Sequence, residues 1–351
     1  MNMKSVLVVV SLLLSVAIGL VLGRGGVARD PGEKRPLIGL SLDTLKEERW
    51  QADADLFKKR CEELGADVLV QAANGDDTRQ INDVQALISR NVDVIVIVPH
   101  DGAAMAKGVQ AAHEAGIPVI AYDRLIKNCD LDIYLSFDNV KVGRLQAQWI
   151  LDHLPTPGKG RIVLANGSKT DNNAFLFHQG AMEVFQPAID RGEVKIVWED
   201  WTEDWKLENA KKIVNAAISK LGPNGFDAVL AAADGVAAGA IQALHEEGLA
   251  GKVLVTGQDA ELVACQKIVA GTQSMTIYKP LKKLATKAAD VAVKMAGGNP
   301  IIATQSVNNG LIDVPAILGD IFAVDKMNLR ETVIADGFQS EKAVYGSAPQ
   351  N

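Results

Sequence analysis

Short apolar runs rich in Val and Ile alternate with helix-length stretches from Leu37 to Tyr278, and this rhythm constrains the fold more than any other feature. Strands are expected at Leu37–Leu42, Asp67–Gln71, Val94–Val98, Pro118–Ala121, Ile133–Ser136, Arg161–Ala165, Lys195–Trp198, Ala228–Ala231, Lys252–Thr256 and Ser274–Tyr278. Helices are expected at Gln51–Leu64, Thr78–Arg90, Ala103–Ala115, Val140–Leu154, Leu207–Leu221 and Ala238–Glu247. Strand, helix, strand repeated in this way implies an α/β fold, with parallel sheets and helices on both faces. The unbroken run Val94-Ile95-Val96-Ile97-Val98 suits a strand buried on both sides. A chain of 351 residues has room for roughly two domains of about 150 residues.

The rhythm contains an internal echo. Asp93 opens the run that leads to Pro99-His100-Asp101-Gly102, then a helix ending at Gly116, then a strand ending at Asp123. Asp227 opens a second run that leads to Ala232-Ala233-Asp234-Gly235, then a helix ending at Gly248, then a strand ending at Asp259. Each copy reads as one βαβ unit with an aspartate where the outgoing strand stops. Two similar lobes in one chain are the simplest account.

Composition narrows the function. Lys and Arg total 36 against 43 Asp and Glu, a formal charge of −7. That balance argues against a nucleic-acid binder held by a basic surface. Lys4 precedes an apolar run from Ser5 to Leu22, which reads as an export signal. The run is also about long enough to span a bilayer. Residues 1–29 are therefore expected to be a signal segment or an N-terminal anchor. The first cysteine is Cys61, too far downstream for a lipid-modified start. Cys61, Cys129 and Cys265 form no C-x-x-C, and three cysteines cannot make a dense disulfide framework. The histidines show no metal-binding spacing. No metal and no cofactor is expected.

In open parallel sheets, ligands sit beyond the carboxyl ends of the strands. Asp43, Lys46, Arg49 and Trp50 follow the first strand, and Asp123 and Arg124 follow the fourth. Asp171, Asn172 and Asn173 follow the sixth, and a Trp-rich stretch from Trp198 to Trp205 follows the next. Asp234, Asp259 and Lys279 end three more. If two lobes face each other, these residues converge on one cleft. The set lacks a nucleophile–base pair, and the chain carries no G-x-S-x-G, phosphate loop or G-x-G-x-x-G after a strand. It suits a carbohydrate instead. The apolar face of a sugar ring stacks on indole, and each hydroxyl is satisfied by a planar charged group that accepts or donates in pairs. Taken singly, the residues have plainer readings. Asp123-Arg124 could be a surface ion pair, Asp171 a helix cap, and Trp149 and Trp198 core.

Longer motifs carry a resemblance. They include Glu48-Arg49-Trp50-Gln51, Gln71-Ala72-Ala73-Asn74-Gly75, Ala121-Tyr122-Asp123-Arg124, Ser136-Phe137-Asp138-Asn139 and Asp171-Asn172-Asn173-Ala174. Gly257-Gln258-Asp259-Ala260, Tyr278-Lys279-Pro280 and Asn308-Asn309-Gly310-Leu311 extend the series. Over about residues 36–345 the chain resembles the periplasmic sugar-binding proteins of ABC transporters, and within them the branch that takes D-xylose. The resemblance implies the type I fold: two similar doubly wound parallel-sheet lobes joined by a three-crossing hinge. It places the crossings near Phe137–Asn139, Tyr278–Pro280 and Asn308–Leu311. The first lobe is then 36–137 plus 280–307, the second 138–279 plus 308–345, with a flexible tail at 346–351.

The resemblance further implies that Trp50 and Trp205 sandwich one pyranose. Arg49, Asp123, Arg124, Asp171, Asn173, Asp259 and Lys279 would bond its hydroxyls. Lys46 stands where an Arg is familiar, keeping the charge and losing the fork. Ala233 stands where an Asn is familiar, leaving Asp234 or water to substitute. The expected partners are D-xylose or another monosaccharide, permease subunits of an ABC transporter and, compatibly, a chemoreceptor, with the protein itself a monomer. A sugar-active enzyme using Asp123 and Asp259 as acid and base is the rival from another class. A lactose-repressor-like regulator would need an N-terminal helix-turn-helix, where this chain has its apolar segment.

Overall fold

A computed structural model describes residues 35–46, 48–303 and 305–346. The expected signal segment or anchor at 1–29, and residues 347–351 of the expected tail, lie outside the described residues. Strands form at all ten expected places. They are β1 (Leu37–Leu42), β2 (Asp67–Ala72), β3 (Val94–Ile97), β4 (Val119–Tyr122), β5 (Ile133–Phe137), β6 (Gly160–Asn166), β7 (Val194–Trp201), β8 (Ala228–Ala231), β9 (Leu254–Val255) and β10 (Met275–Tyr278). Three further strands follow: β11 (Gln305–Asn308), β12 (Asp313–Gly319) and β13 (Phe322–Asp325). The helices that matter for the site are α1 (Glu48–Glu63), α2 (Asp77–Ser89), α3 (Ala106–Glu114), α4 (Asn139–His153), α5 (Asn172–Asp190), α6 (Leu207–Leu221), α7 (Asp234–Glu246), α8 (Leu262–Ala270) and α9 (Leu281–Ala296).

Two main sheets result. The first has the order β11-β12-β5-β4-β3-β1-β2, the second β7-β6-β8-β9. All pairings in them are parallel except β11 with β12. Alternating residues of β3 go to opposite faces, as the pleat requires. Val94 and Val96 pack with Phe57 of α1 and Leu284 and Ala288 of α9. Ile95 and Ile97 pack with Leu87 of α2 and Val109 of α3. In the second sheet Val163 and Ala165 meet Val214 of α6 and Ala240 of α7, while Ile162 and Leu164 meet Ile150 of α4 and Phe185 of α5. Both sheets are therefore covered on both faces, which is why their strands read as continuous apolar runs.

The echo is structural. Asp93 Oδ2 accepts the N–H of Leu37, the first residue of the neighbouring β1, at 2.7 Å. Asp227 Oδ2 accepts the N–H of Arg161 in β6 at 2.8 Å in the same way. At the other ends of the two units, Asp123 and Asp259 both adopt left-handed backbone, with φ of 62° and 101°.

The chain leaves the first sheet after Phe137 and returns with α9, which packs on α1. Arg60 Nε donates to Asp290 Oδ1 across that contact at 2.8 Å. The expected assignment of 308–345 to the second lobe is corrected at its start. β12 runs parallel to β5, with Ala316 opposite Tyr134, so the chain leaves the first sheet after Gly319. Val314 and Ala316 supply the reason: both are wholly buried in the first core. β13 then pairs antiparallel with β10. All three cysteines are buried, and none forms a disulfide among the described residues.

Candidate functional site

Arg49, Trp50, Asp123, Arg124, Asp171, Asn173, Trp205, Asp259 and Lys279 line one cavity of about 80 Å³. Each comes from a strand's carboxyl end or the first turn of the helix that follows. Arg49 and Trp50 open α1, and Asp123 and Arg124 follow β4. Asp171 caps α5, accepting the Asn173 N–H at 2.9 Å. Lys279 follows β10 and is 1% exposed. The volume is room for on the order of six waters, the bulk of one small ring.

Arg49 is the electrostatic centre. Its guanidinium pairs with Asp123, with Asp259 at 3.1 Å and with Asp53 beneath it at 3.4 Å. Lys279 Nζ lies 3.1 Å from the same oxygen of Asp259. Burial opposes the charge on Arg49, but Asp123, Asp259 and Asp53 outweigh it and hold its pKa well above the usual value. Burial likewise pushes the Asp123 carboxyl up. Arg49, then Lys279, more than reverse that and keep it below the ordinary aspartate range. Asp53 goes the other way: burial raises it to about 6 despite Arg49.

A second cluster forms around Arg124. Nη1 donates to Asp43 Oδ2 at 2.8 Å, and Nε lies 3.0 Å from Asp171 Oδ2. Burial raises the Asp171 carboxyl, with Arg124 only partly offsetting it. Asn173 spans the two halves of the fold. Its Nδ2 donates to the Asp123 carbonyl at 3.0 Å, and its Oδ1 accepts from Asn139 at 2.8 Å.

The two indoles are not equivalent. Trp205 follows Asp204, and both have left-handed backbone, φ 58° and 53°. Strained positions of this kind collect at functional sites. The Trp205 ring meets Phe177 edge-on, with centroids 6.4 Å apart, and its Nε1 is buried without a hydrogen bond among the described residues. Trp50 is 5% exposed, and its ring is already faced by guanidinium carbons, Arg49 at 4.4 Å and Arg124 at 5.3 Å.

Two expected residues do not join the cavity. Lys46 is exposed at the end of the first loop. Asp234 is buried, but its carboxylate turns into the second lobe. Oδ1 accepts from Gln273 Nε2 at 2.8 Å and Thr276 Oγ1 at 2.9 Å, and Oδ2 accepts the Glu261 N–H at 2.9 Å. The cause is that α7 starts at Asp234, earlier than expected, with Ala233 as its N-cap. Ala233 does line the cavity, offering only a methyl group. The sequence reading missed Phe177, Val236, Gln258 and Glu261, which also line it. A signal existed for two of them. Phe177 lies four residues after Asn173 on the same helix face, and Gln258 precedes Asp259 in the chain.

The site thus offers fixed carboxylates, guanidinium forks, an ammonium and an indole to a small neutral ligand rich in hydroxyls. A family model described as a periplasmic binding protein domain matches residues 38–300. The D-xylose-binding periplasmic protein of Haemophilus influenzae is 49% identical over 308 residues, 88% of this chain and 92% of the relative. That of Escherichia coli is 46% identical over the same shares. The crystal structure of a carbohydrate transporter solute binding protein from Chloroflexus aurantiacus, in complex with D-glucose, superposes with a TM-score of 0.83. It is 32% identical and covers 89% of this chain and 98% of that one. With its two doubly wound sheets and a charged cleft between them, the chain belongs to the periplasmic binding protein family.

Proposed function

We propose that this chain binds one monosaccharide, D-xylose, between its lobes in the periplasm and delivers it to the permease subunits of an ABC transporter. The observation that carries the reading is the cleft itself. Arg49 and Arg124, from the first lobe, pair with Asp259 and Asp171 of the second, beside the Trp205 indole. Hydroxyls of a pyranose meet charged planar partners there, and hydrogen bonds of that kind are about twice as strong as neutral ones. The similarity to two D-xylose-binding proteins selects the sugar. Micromolar affinity needs about 8 kcal/mol, within reach of one stacked ring and several charge-assisted bonds.

The moving bodies in this reading are residues 36–137 with 280–319 and residues 138–279 with 320–346. Ligand that touches both stabilises the closed form, which the permease recognises. The protein acts as a monomer, without cofactor or turnover. Asp123, held ionised by Arg49, is a poor proton donor near neutral pH. D-Glucose is the second reading, favoured by the solved relative that holds it and by the methyl of Ala233 where an amide is familiar.

Calorimetry of residues 30–351 with D-xylose, D-glucose, L-arabinose and D-ribose tests the proposal. Binding of xylose at one site per chain, at least about tenfold tighter than the others, supports it. Tighter binding of another sugar moves the specificity, and release of a chemically altered sugar replaces the binding role with an enzymatic one. Pull-down of permease, or of a chemoreceptor's outer domain, by the sugar-bound form identifies the partner.

A further inference from the structure

A chain of close polar contacts runs from the first lobe into the cleft, and His100 stands at its outer end. His100 Nδ1 lies 2.9 Å from Asp43 Oδ1. Asp43 Oδ2 accepts from Arg124 Nη1 at 2.8 Å, and Arg124 Nε reaches Asp171 Oδ2 of the second lobe at 3.0 Å. Asp43 is 6% exposed. Its Oδ1 is buried without a well-aligned hydrogen bond among the described residues, and the imidazole Nδ1 is the group that stands at ion-pair distance from it; a proton on Nδ1 makes that contact favourable. The backbone of His100 is itself fixed: its N–H donates to Gln80 Oε1 at 2.8 Å, and Gln80 Nε2 donates to the Val98 carbonyl at 2.8 Å. In the internal echo, Pro99-His100-Asp101-Gly102 matches Ala232-Ala233-Asp234-Gly235. His100 is thus the counterpart of cavity-lining Ala233.

We propose that His100 is a positioning residue of the sugar site, aiming the Arg124 fork through Asp43 and coupling proton uptake to closure of the lobes. The inference rests on the sugar-binding reading above. Three charged groups face the imidazole: Asp43 after β1, Asp77 in the first turn of α2, and Arg124 after β4. Asp101 beside it is spent on the N–H groups of Ala103 and Ala104, and Asp76 on that of Arg79. Asp43 and Asp77 favour the imidazolium, and Arg124 opposes it. Closing brings Asp171 onto Arg124 and offsets the opposing charge. The closed form then holds the proton more tightly, and by reciprocity a lower pH tightens ligand binding.

The test is calorimetry with D-xylose across pH for the wild type, His100→Phe and His100→Gln. Wild-type affinity is expected to improve about two- to threefold between about pH 8.5 and about pH 5.5 beyond any change in His100→Gln. The difference between the two proteins is the readout, because Asp53 titrates near 6 in both. His100→Phe leaves Asp43 Oδ1 without a donor and weakens binding severalfold. His100→Gln, whose amide can donate in place of Nδ1, recovers most of that loss with a flatter pH profile. Parallel profiles for wild type and His100→Gln overturn the proposal. A second measurement needs no sugar: NMR titration of the His100 imidazole is expected above its ordinary value of 6.5 and to fall in Asp43→Asn. No fall overturns the His100–Asp43 link. Absence of binding to any sugar by the wild type removes the sugar reading, and coupling to sugar with it, while the imidazole titration still decides that link.

Discussion

Gly167, just past β6, sets the position of the Trp205 indole, and a single methyl group there is expected to weaken ligand binding. A Cβ built on Gly167 stands within 2.5 Å of ring atoms Cη2, Cζ2 and Cζ3. Carbon atoms pack at about 3.5–4.0 Å, so the ring must move by about 1 Å or more in Gly167→Ala. The loop resists a concerted shift. Trp205 N–H donates to the Thr202 carbonyl at 3.2 Å, Asn209 Nδ2 donates to the Glu203 carbonyl at 3.0 Å, and Thr202 is fully buried. The ring therefore tilts off the ligand or into a cavity of only about 80 Å³. A gap of about 0.5–1 Å forfeits a quarter to a half of each dispersion contact. With about 1.5–3 kcal/mol at stake for a buried ring-sized surface, the loss is about 0.4–1.5 kcal/mol. That is about two- to twelvefold in Kd. Calorimetry with D-xylose on Gly167→Ala and Trp205→Ala, beside thermal melts, measures it. Gly167→Ala should bind more weakly than wild type and more tightly than Trp205→Ala, while melting within a few degrees of wild type. Wild-type affinity in Gly167→Ala together with a large loss in Trp205→Ala would refute the steric argument. Unchanged affinity in both would remove Trp205 from the site.

Three further outcomes are expected. Ala233 is an N-cap with extended backbone and no capping side chain. Ala233→Asn should therefore raise stability by about 0.5–2 kcal/mol, read as a higher melting temperature. A lower one would mean that the amide is drawn into the cavity instead. Helices α4 and α5 cross at Gly143, where a Cβ would overlap the Phe177 carbonyl oxygen and stand 2.7 Å from the Ala181 nitrogen. Backbone cannot yield as a side chain does, so Gly143→Ala should cost about 1–3 kcal/mol in denaturant unfolding. A loss below about half a kilocalorie would mean the helices slide freely. Asp53, raised by burial to about 6, favours its protonated form in the fold. Its contribution is full below the unfolded value of about 3.9 and is lost as pH rises through about 6. Wild-type melts should show a component that falls from about pH 4 to about pH 7 and is absent in Asp53→Asn. Equal slopes in the two proteins would contradict it.

The strands and the echo were legible because apolar runs and strand-end aspartates are local signals. Helices such as α5 and α9, and strands β11 to β13, were harder. β11 and β13 are short, β12 carries Pro315 and alternates exposed with buried residues, and only pairing with β5 and β10 shows where they belong. Asp234 was misplaced because a helix start one turn early rotates a carboxylate from the cleft into the lobe. Lys46 follows the first strand and stands where an Arg is familiar, but its side chain is exposed at the end of that loop. What the chain could least reveal was the meeting of the two halves. The echo supplies two aspartates, Asp123 and Asp259, at matching strand ends and with the same left-handed backbone. Both pair with the one guanidinium of Arg49, which comes from the first turn of α1, outside the echo. A hydroxyl entering the cleft must therefore share Arg49 with two carboxylates that the repeat brings together. Such a network is coupled, and single substitutions within it will not add. Double-mutant cycles between Arg49 and each aspartate are the way to apportion it.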